Sequence, residues 1–188
     1  MKRLLIMALL TGTAAAQAEA PKPGWMEYKP PYAEASSDLS HPHRTIDEVA
    51  IWSQEMAANA LSLTPADYKA KLEEFKKYFA PQGWQLYDAY LKDSKLMNRV
   101  VEGKYSAATI VSSDPEIVNH GAVEGVYHWI VKSPVTISFF TNGHARTATP
   151  DASESAILYI DVARTAESDG NDGLAISHWR VDALAQQP

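Results

Sequence analysis

The apolar residues of this chain change their spacing at Gly103, and this change constrains the fold more than any other feature of the sequence. Before Gly103, apolar residues recur every three or four positions, as on one face of a helix. After it they alternate with polar residues, as in a half-buried strand. Helices followed by antiparallel strands predict an α+β domain, with N-terminal helices packed on one face of a curved antiparallel sheet. We place this domain at residues 45–183.

Four helical segments are predicted before Gly103. The first starts with a capping box, in which Thr45 caps the helix and Glu48 follows three residues later. The second starts at Thr64-Pro65 and the third at Pro81, because proline suits the first helical position. A short fourth helix ends near Gly103. The predicted buried faces of the first three are Val49, Trp52, Met56 and Ala60, then Tyr68, Leu72, Phe75 and Phe79, then Trp84, Tyr87 and Leu91.

The alternating pattern after Gly103 predicts four strands, at residues 104–111, 126–141, 155–165 and 174–181. Pro134 interrupts the second strand. Because proline has no N–H for a ladder hydrogen bond, we expect it at a sheet edge or at a bulge. Asn142-Gly143 is typical of a hairpin turn, and a polar loop at residues 167–173 precedes the last strand.

Residues 1–18 have the organisation of a secretory signal peptide. Lys2 and Arg3 precede an apolar run at residues 4–10, and Ala16-Gln17-Ala18 fits the small-x-small rule for cleavage. The apolar run is shorter than the roughly 20 residues of a spanning helix. We therefore expect cleavage after Ala18, a periplasmic location and no stable membrane anchor.

A proline-rich segment, residues 19–44, lies between the signal peptide and the domain. It has no apolar period and predicts a flexible linker that is partly polyproline II. Its aromatic residues Trp25, Tyr28 and Tyr32 leave a second interpretation open, in which the segment is a tether that docks on a partner. A short tail, residues 184–188, follows the domain.

Composition excludes several classes of protein. The chain has no cysteine, which excludes a disulfide framework, a thiol nucleophile and a lipid-modified cysteine. Without the signal peptide it carries 15 basic and 23 acidic residues, a formal charge of −8. Such an acidic domain is a poor candidate for electrostatic binding to nucleic acid or anionic lipid, so we expect no nucleic-acid partner.

Candidate chemistry is sparse. The six histidines lack the helical i, i+4 spacing of a zinc site, and no nucleophile or phosphate-loop motif occurs. We therefore expect no metal, no cofactor and no catalytic residues. A pocket is the alternative: Asp161 and Tyr159 share one strand face, and with His128 they are the candidates for acid–base chemistry in a cavity. Otherwise Asp161 faces solvent or pairs with Arg164 or Arg180.

Four motifs, in order, resemble the IcmL/DotI family of type IVB secretion components and the related conjugation protein TraM. They are "YFAPQGWQLYDAYLKDS" at residues 78–94, "GVYHWIVKSPVTISF" at 125–139, "ILYIDVART" at 157–165 and "GLAISHWRV" at 173–181. The positions that match the family's motifs are Phe79, Gly83, Trp84, Tyr127, Trp129, Pro134, Arg164 and Ile176, and we expect them to be structural.

The resemblance implies a periplasmic domain with a cystatin-like, nuclear-transport-factor-like cone. It also implies a scaffold without catalytic residues, whose partners are other secretion or conjugation proteins or a second copy of itself. Anchored members of the family have a membrane helix before this domain, whereas a cleavable signal is predicted for this chain. It is therefore expected to be a soluble periplasmic relative. The alternative function is a small-ligand-binding protein or an acid–base enzyme that uses a cavity of the cone.

Overall fold

The computed structural model describes residues 38–141, 149–166 and 171–183. The predicted signal peptide, most of the predicted linker, the Asn142-Gly143 turn and the tail lie outside these residues. The described helical elements are α1 (Ile46–Ala60), α2 (Tyr68–Phe75), a 3-10 turn (Lys76–Tyr78), α3 (Pro81–Asp93), α4 (Lys95–Met97) and a π-helical turn (Asn98–Glu102). The strands are β1 (Ser106–Val111), β2 (Glu116–Val123), β3 (Val126–Phe140), β4 (Ala152–Arg164) and β5 (Leu174–Ala183).

The five strands form one antiparallel sheet. Its order is β1-β3-β4-β5, and β2 also pairs with β3. β1 pairs with residues 135–140 of β3 and β2 with residues 126–132, so both lie along the same edge of β3. They act as one edge strand that is interrupted between Val111 and Glu116. β2 was not among the predicted strands, because a register shift between Ile117 and Asn119 breaks its alternation.

The prediction that Pro134 marks a sheet edge or a bulge is wrong. Pro134 lies inside β3, opposite Ile157 of β4, and the ladder continues through it without a register shift. Its carbonyl accepts a hydrogen bond from the Ser112 amide at 2.8 Å, on the side of β1. In a β-strand, the amide nitrogen and the carbonyl of the same residue point toward the same neighbouring strand. The missing N–H therefore faces the gap between β1 and β2, where no ladder partner is needed.

The helices cover one face of the sheet and confirm the α+β architecture. Alternate side chains of β3, including Trp129, Val131 and Phe139, point into the core and are almost fully buried. Alternate residues of β4 do the same, among them Leu158 and Ile160. These side chains and the buried faces of α1 and α3 fill the space between the helices and the sheet.

The helix starts agree with the sequence at α1 and differ at α2. At α1, Thr45 Oγ1 accepts the Glu48 amide and the Glu48 carboxylate accepts the Thr45 amide, which is the predicted capping box. The predicted start of α2 at Thr64 is wrong. The Thr64 amide and hydroxyl both donate to the Asp67 carboxylate, which holds a turn, and the helix begins at Tyr68. Its apolar face is only half-buried, and Phe79 lies beyond the helix.

Candidate functional site

The face of the sheet that the helices leave open carries the candidate site. One half of this face is a polar ladder, in which Ser112, Thr136 and Ser155 are linked by hydroxyl hydrogen bonds and Ser138 is bonded to Ser153. The other half, toward the start of β3 and the end of β4, combines ionisable and apolar side chains. It includes all three residues that the sequence proposed for a pocket.

His128 and Asp161 form the centre of this site. His128 Nδ1 lies 2.8 Å from Asp161 Oδ1, and their side chains are 21% and 28% exposed. The pair is diagonal across the β3–β4 ladder, where Asp161 is opposite Ile130 and His128 is opposite Ala163. Outside a pocket, Asp161 was predicted to face solvent or to pair with Arg164 or Arg180. Its partner is instead a histidine on the neighbouring strand.

Two shallow cavities flank the pair, and both include Ile130 and Asp161. The first has a volume of about 310 Å³, and β2 contributes much of its wall, from Asn119 to Val123. The second, of about 240 Å³, is lined also by Tyr159, His178 and Arg180. Asp161, His128 and Tyr159 are thus brought together, but on the outer face of the sheet rather than inside the cone.

The positive charge at the second cavity comes from Arg180, which was not among the predicted pocket residues. Its guanidinium lies 4.4 Å from the centre of the Tyr159 ring, and its Nε is 3.2 Å from an Asp182 carboxylate oxygen. Arg180 lies opposite Tyr159 in the β4–β5 ladder. The alternating pattern of the last strand places His178 and Arg180 on one face, and this signal could have identified both as residues of the same pocket as Asp161.

This arrangement can hold a small polar group, since the imidazole and the carboxylate together offer a donor and an acceptor. It contains no nucleophile activated by a base. Among residues 38–141, 149–166 and 171–183, no group of three or more histidine, aspartate or glutamate side chains could hold a metal ion.

Arg164 has a different role from the pocket residues. It is buried, and its Nη1 donates to the backbone carbonyls of Asp38 at 2.7 Å and His41 at 2.5 Å. The Tyr127 amide at the start of β3 donates to the Leu39 carbonyl at 2.8 Å. The end of the predicted linker is therefore bound to the domain through its backbone.

The same segment is fixed a second time at His43. His43 is buried, its Nε2 lies 2.9 Å from the Asp172 carbonyl, and its ring packs edge-on against Trp129 at 6.3 Å.

The start of the segment is also ordered by its own hydrogen bonds. Those that Ser40 donates to the Asp38 carboxylate, first of all from its side chain, lower the pKa of Asp38 to about 2. Residues 38–44, which the sequence assigned to a flexible linker, thus form a strap, the name used below.

The aromatic residues of the motif at 78–94 form a cluster between α3 and β5. Phe79 stacks on Tyr87 with ring centres 5.0 Å apart, and Trp84 and Trp179 pack around the two rings. The Tyr87 hydroxyl donates to the Ala60 carbonyl at 2.7 Å, and burial raises the pKa of this phenol. Trp84 is half-buried, whereas Trp129 on β3 is fully buried beside Tyr127.

Gly83 allows α3 to lie against β5. A Cβ atom at this position would be 2.1 Å from the Ile176 carbonyl oxygen. The same carbonyl accepts a hydrogen bond from the Ala80 amide at 2.9 Å, and Phe79 and Ile176 form a parallel bridge. Motif positions Phe79, Gly83 and Ile176 are therefore neighbours in space, far apart in sequence.

Comparisons with known proteins agree with these motifs. The family model of DotI and IcmL, described as an inner-membrane complex component of the type IVb secretion system, matches residues 13–183. A comparison with the sequences of curated proteins finds no match.

Solved structures share the fold. The periplasmic domain of DotI has a TM-score of 0.68 at 19% identity, over 77% of this chain and 99% of that one. A periplasmic fragment of TraM has a TM-score of 0.67 at 16% identity, over 74% and 98%. An IcmL-like type IV secretion system protein from Legionella pneumophila subsp. pneumophila strain Philadelphia 1 has a TM-score of 0.64 at 16% identity, over 77% and 97%. Because the family model covers most of its length, this chain belongs to the DotI/IcmL family of type IVB secretion system components.

Proposed function

We propose that this protein is a non-catalytic periplasmic scaffold of a type IVB secretion or conjugation system. The observation that carries the proposal is the match of the family model over residues 13–183. The shared fold with the periplasmic domain of DotI supports it. A scaffold works through surface complementarity, so its partners are other proteins of the system or a second copy of the chain.

The proposal includes export by a cleaved signal peptide. The short apolar run at residues 4–10 and the Ala16-Gln17-Ala18 site support it. No helix within the described ranges is long and apolar enough to span a membrane. Cleavage after Ala18 would release the chain into the periplasm.

Deletion of the gene in its native host tests the scaffold. We expect lower substrate secretion or plasmid transfer, restored by the full-length chain. We also expect an affinity-tagged chain, isolated after cross-linking, to bring down other components of the same system. Normal secretion and transfer in the deletion strain would contradict the proposal.

A second candidate function is the binding of a small molecule at the His128–Asp161 site. The 2.8 Å pair between two cavities favours this alternative. A carboxylate paired with an imidazole is also a common arrangement for proton transfer. The Asp161 variant described in the Discussion distinguishes this function from the scaffold.

A further inference from the structure

The outer edge of β2 differs from the other edges of the sheet. The Ala107 amide of β1 donates to the Leu63 carbonyl at 2.8 Å, and the Ser62 hydroxyl accepts the Thr109 amide, so residues before α2 protect that edge. On the opposite edge, the Ile176 carbonyl of β5 accepts the Ala80 amide. Within the described part of the chain, β2 pairs only with β3, and its outer edge receives no backbone hydrogen bond from another segment.

The turn after β2 determines which of its backbone groups point outward. Glu124 and Gly125 connect Val123 to Val126, and both turn residues have positive φ, of 51° and 83°. In such a two-residue turn the flanking residues, Val123 and Val126, form a hydrogen-bonded pair, in which each N–H donates to the carbonyl of the other. The Ala122 amide, one residue earlier, therefore points away from β3.

Two residues earlier, the His120 amide also points outward, but it already donates a hydrogen bond to the Asn119 side chain at 2.9 Å. The carbonyls of His120 and Ala122 and the amide of Ala122 are then the outward groups nearest the hairpin turn. An incoming chain could pair with them over a short length. An open row of this kind is a template for a further strand.

Exposed apolar side chains lie along this edge beside the polar ones of Asn119 and His120. Val118 and Val123 are 43% and 59% exposed, and Ile110 on the adjoining β1 is 64% exposed. Natural edge strands are usually blunted by lysine or proline, and β2 contains neither. The features of β2 that oppose pairing are the register shift at Val118 and the charged side chain of Glu116 at its start.

The charges around β2 indicate what kind of chain would bind there. Asp114 and Glu116 lie at its start and Glu124 follows its end, and all three are exposed. The Nζ of Lys132 on β3 lies 3.6 Å from the Glu116 carboxylate, so the balance of these charges is negative. Antiparallel pairing of β2 with the β2 of a second copy, over its full length, would bring Glu116 of each copy close to Glu124 of the other. Like charges at both ends disfavour this pairing.

We propose that the outer edge of β2 binds an extended segment of another protein by strand addition, and that this segment is apolar at its centre and basic at its ends. This names an interaction surface of the scaffold proposed above and rests on that function. The bound segment would extend the sheet beyond β2, cover Val118 and Val123, and place its basic residues beside Glu116 and Glu124.

A synthetic peptide tests the edge directly. The probe is fluorescein-labelled Lys-Lys-Thr-Val-Thr-Val-Thr-Lys-Lys, titrated with the folded chain and followed by fluorescence anisotropy. We expect saturable binding. We expect weaker binding of the same peptide with glutamate in place of lysine, and a smaller difference between the two peptides at high salt. No binding of the basic peptide, or equal binding of both peptides, would overturn the proposal.

Two variants of the edge sharpen the test. Ala122→Pro removes the outward amide but no bond to β3, and should weaken binding of the basic peptide about two- to tenfold. Ala122→Val keeps the amide and is the matched control. Val118→Lys is an independent variant, because an exposed lysine opposes strand addition and repels the basic peptide. Unchanged binding in folded Val118→Lys and Ala122→Pro would place the peptide elsewhere and overturn the proposal.

The test in cells separates this proposal from the scaffold itself. If deletion of the gene lowers secretion and Ala122→Pro restores it fully, the scaffold stands and the edge proposal is wrong. If deletion has no effect while the peptide still binds at β2, the secretion function is wrong and the edge stands. Analytical ultracentrifugation provides a further check. If the wild-type chain is a dimer and Ala122→Pro is a monomer, the edge binds a second copy of the chain, and the proposal of a basic partner is wrong.

Discussion

Gly83 lies directly against the backbone of Ile176. A Cβ at Gly83 would be 2.1 Å from the Ile176 carbonyl oxygen and 2.9 Å from its carbonyl carbon. A helix and an edge strand reach this separation only where one of them has no side chain. The contact fixes α3 on β5 and positions the Phe79–Tyr87–Trp179 cluster between them.

Gly83→Ala should therefore destabilise the domain. Alanine favours a helix over glycine by up to about 1 kcal/mol, but the clash is with backbone, which cannot rotate away, and overpacking typically costs about 1–3 kcal/mol. We expect a lower free energy of unfolding in urea. Gln85→Ala, at an exposed position on the same helix, is the control. A Gly83→Ala variant that is as stable as the wild type would contradict the close approach of α3 and β5.

Trp129→Ala should destabilise the domain more than Trp84→Ala. Trp129 is 1% exposed and packs against Tyr127 and His43, whereas Trp84 is half-buried. Truncation of a fully buried tryptophan typically costs about 3–5 kcal/mol, enough to prevent folding of a marginal domain. Thermal unfolding followed by circular dichroism measures both variants. If Trp129→Ala melted normally and lost a partner instead, the residue would belong to an interface.

The capping box predicts a defined pH dependence. The Thr45 amide donates to the Glu48 carboxylate and lowers its pKa below the ordinary value of 4.5. A lowered pKa in the folded state stabilises the fold above the unfolded-state value, and this stabilisation is lost as the pH falls through the folded-state value.

Glu48→Gln keeps an acceptor for the Thr45 amide but has no charge to titrate. We expect it to be less stable than the wild type at pH 7, and the difference in unfolding free energy to shrink below about pH 4.5. Urea denaturation at several pH values gives this difference. Asp47→Asn, in the same helical turn but outside the capping box, controls for the loss of an acidic side chain near the helix N-terminus. If the difference in unfolding free energy between the wild type and Glu48→Gln grew toward acid pH, the Glu48 carboxylate would not stabilise the fold in this way.

Asp161→Asn should leave the biological function intact apart from a stability effect. Asparagine retains an oxygen that can accept a hydrogen bond from His128, so the fold should survive, while any acid–base activity that needs the carboxylate should collapse. Complementation of secretion or transfer in the deletion strain is the measurement, with Asp182→Asn as the control on β5. A folded but inactive variant, together with turnover or tight binding of a small molecule by the wild type, would replace the scaffold with the pocket function.

The mature protein should begin near Glu19. N-terminal sequencing of the chain from the periplasmic fraction tests the proposed cleavage after Ala18. Ala16→Arg together with Ala18→Arg should block cleavage and leave a longer chain, because large charged residues do not fit the small-x-small rule. Recovery of the uncleaved wild-type chain in washed membranes would contradict the proposed export.

The resemblance and the local patterns anticipated much of the fold but less of the site. The capping box of α1 and the helix-then-strand order were predicted because they depend on residues close in sequence. The partner of Asp161 was not, because His128 lies 33 positions earlier and meets it only through the β3–β4 register. The strap was missed for the same reason. Its backbone carbonyls are held by Arg164, more than 120 residues away.

The sequence by itself determined the α+β class, the capping box of α1 and the motifs of the family, since hydrophobic period and capping are local properties. Only the tertiary structure decided where Pro134 is tolerated, what Gly83 approaches and which edge of the sheet stays open. Each of these depends on a neighbouring segment brought in by long-range pairing. A single strand pattern does not specify which strand will lie beside it, or whether any strand will.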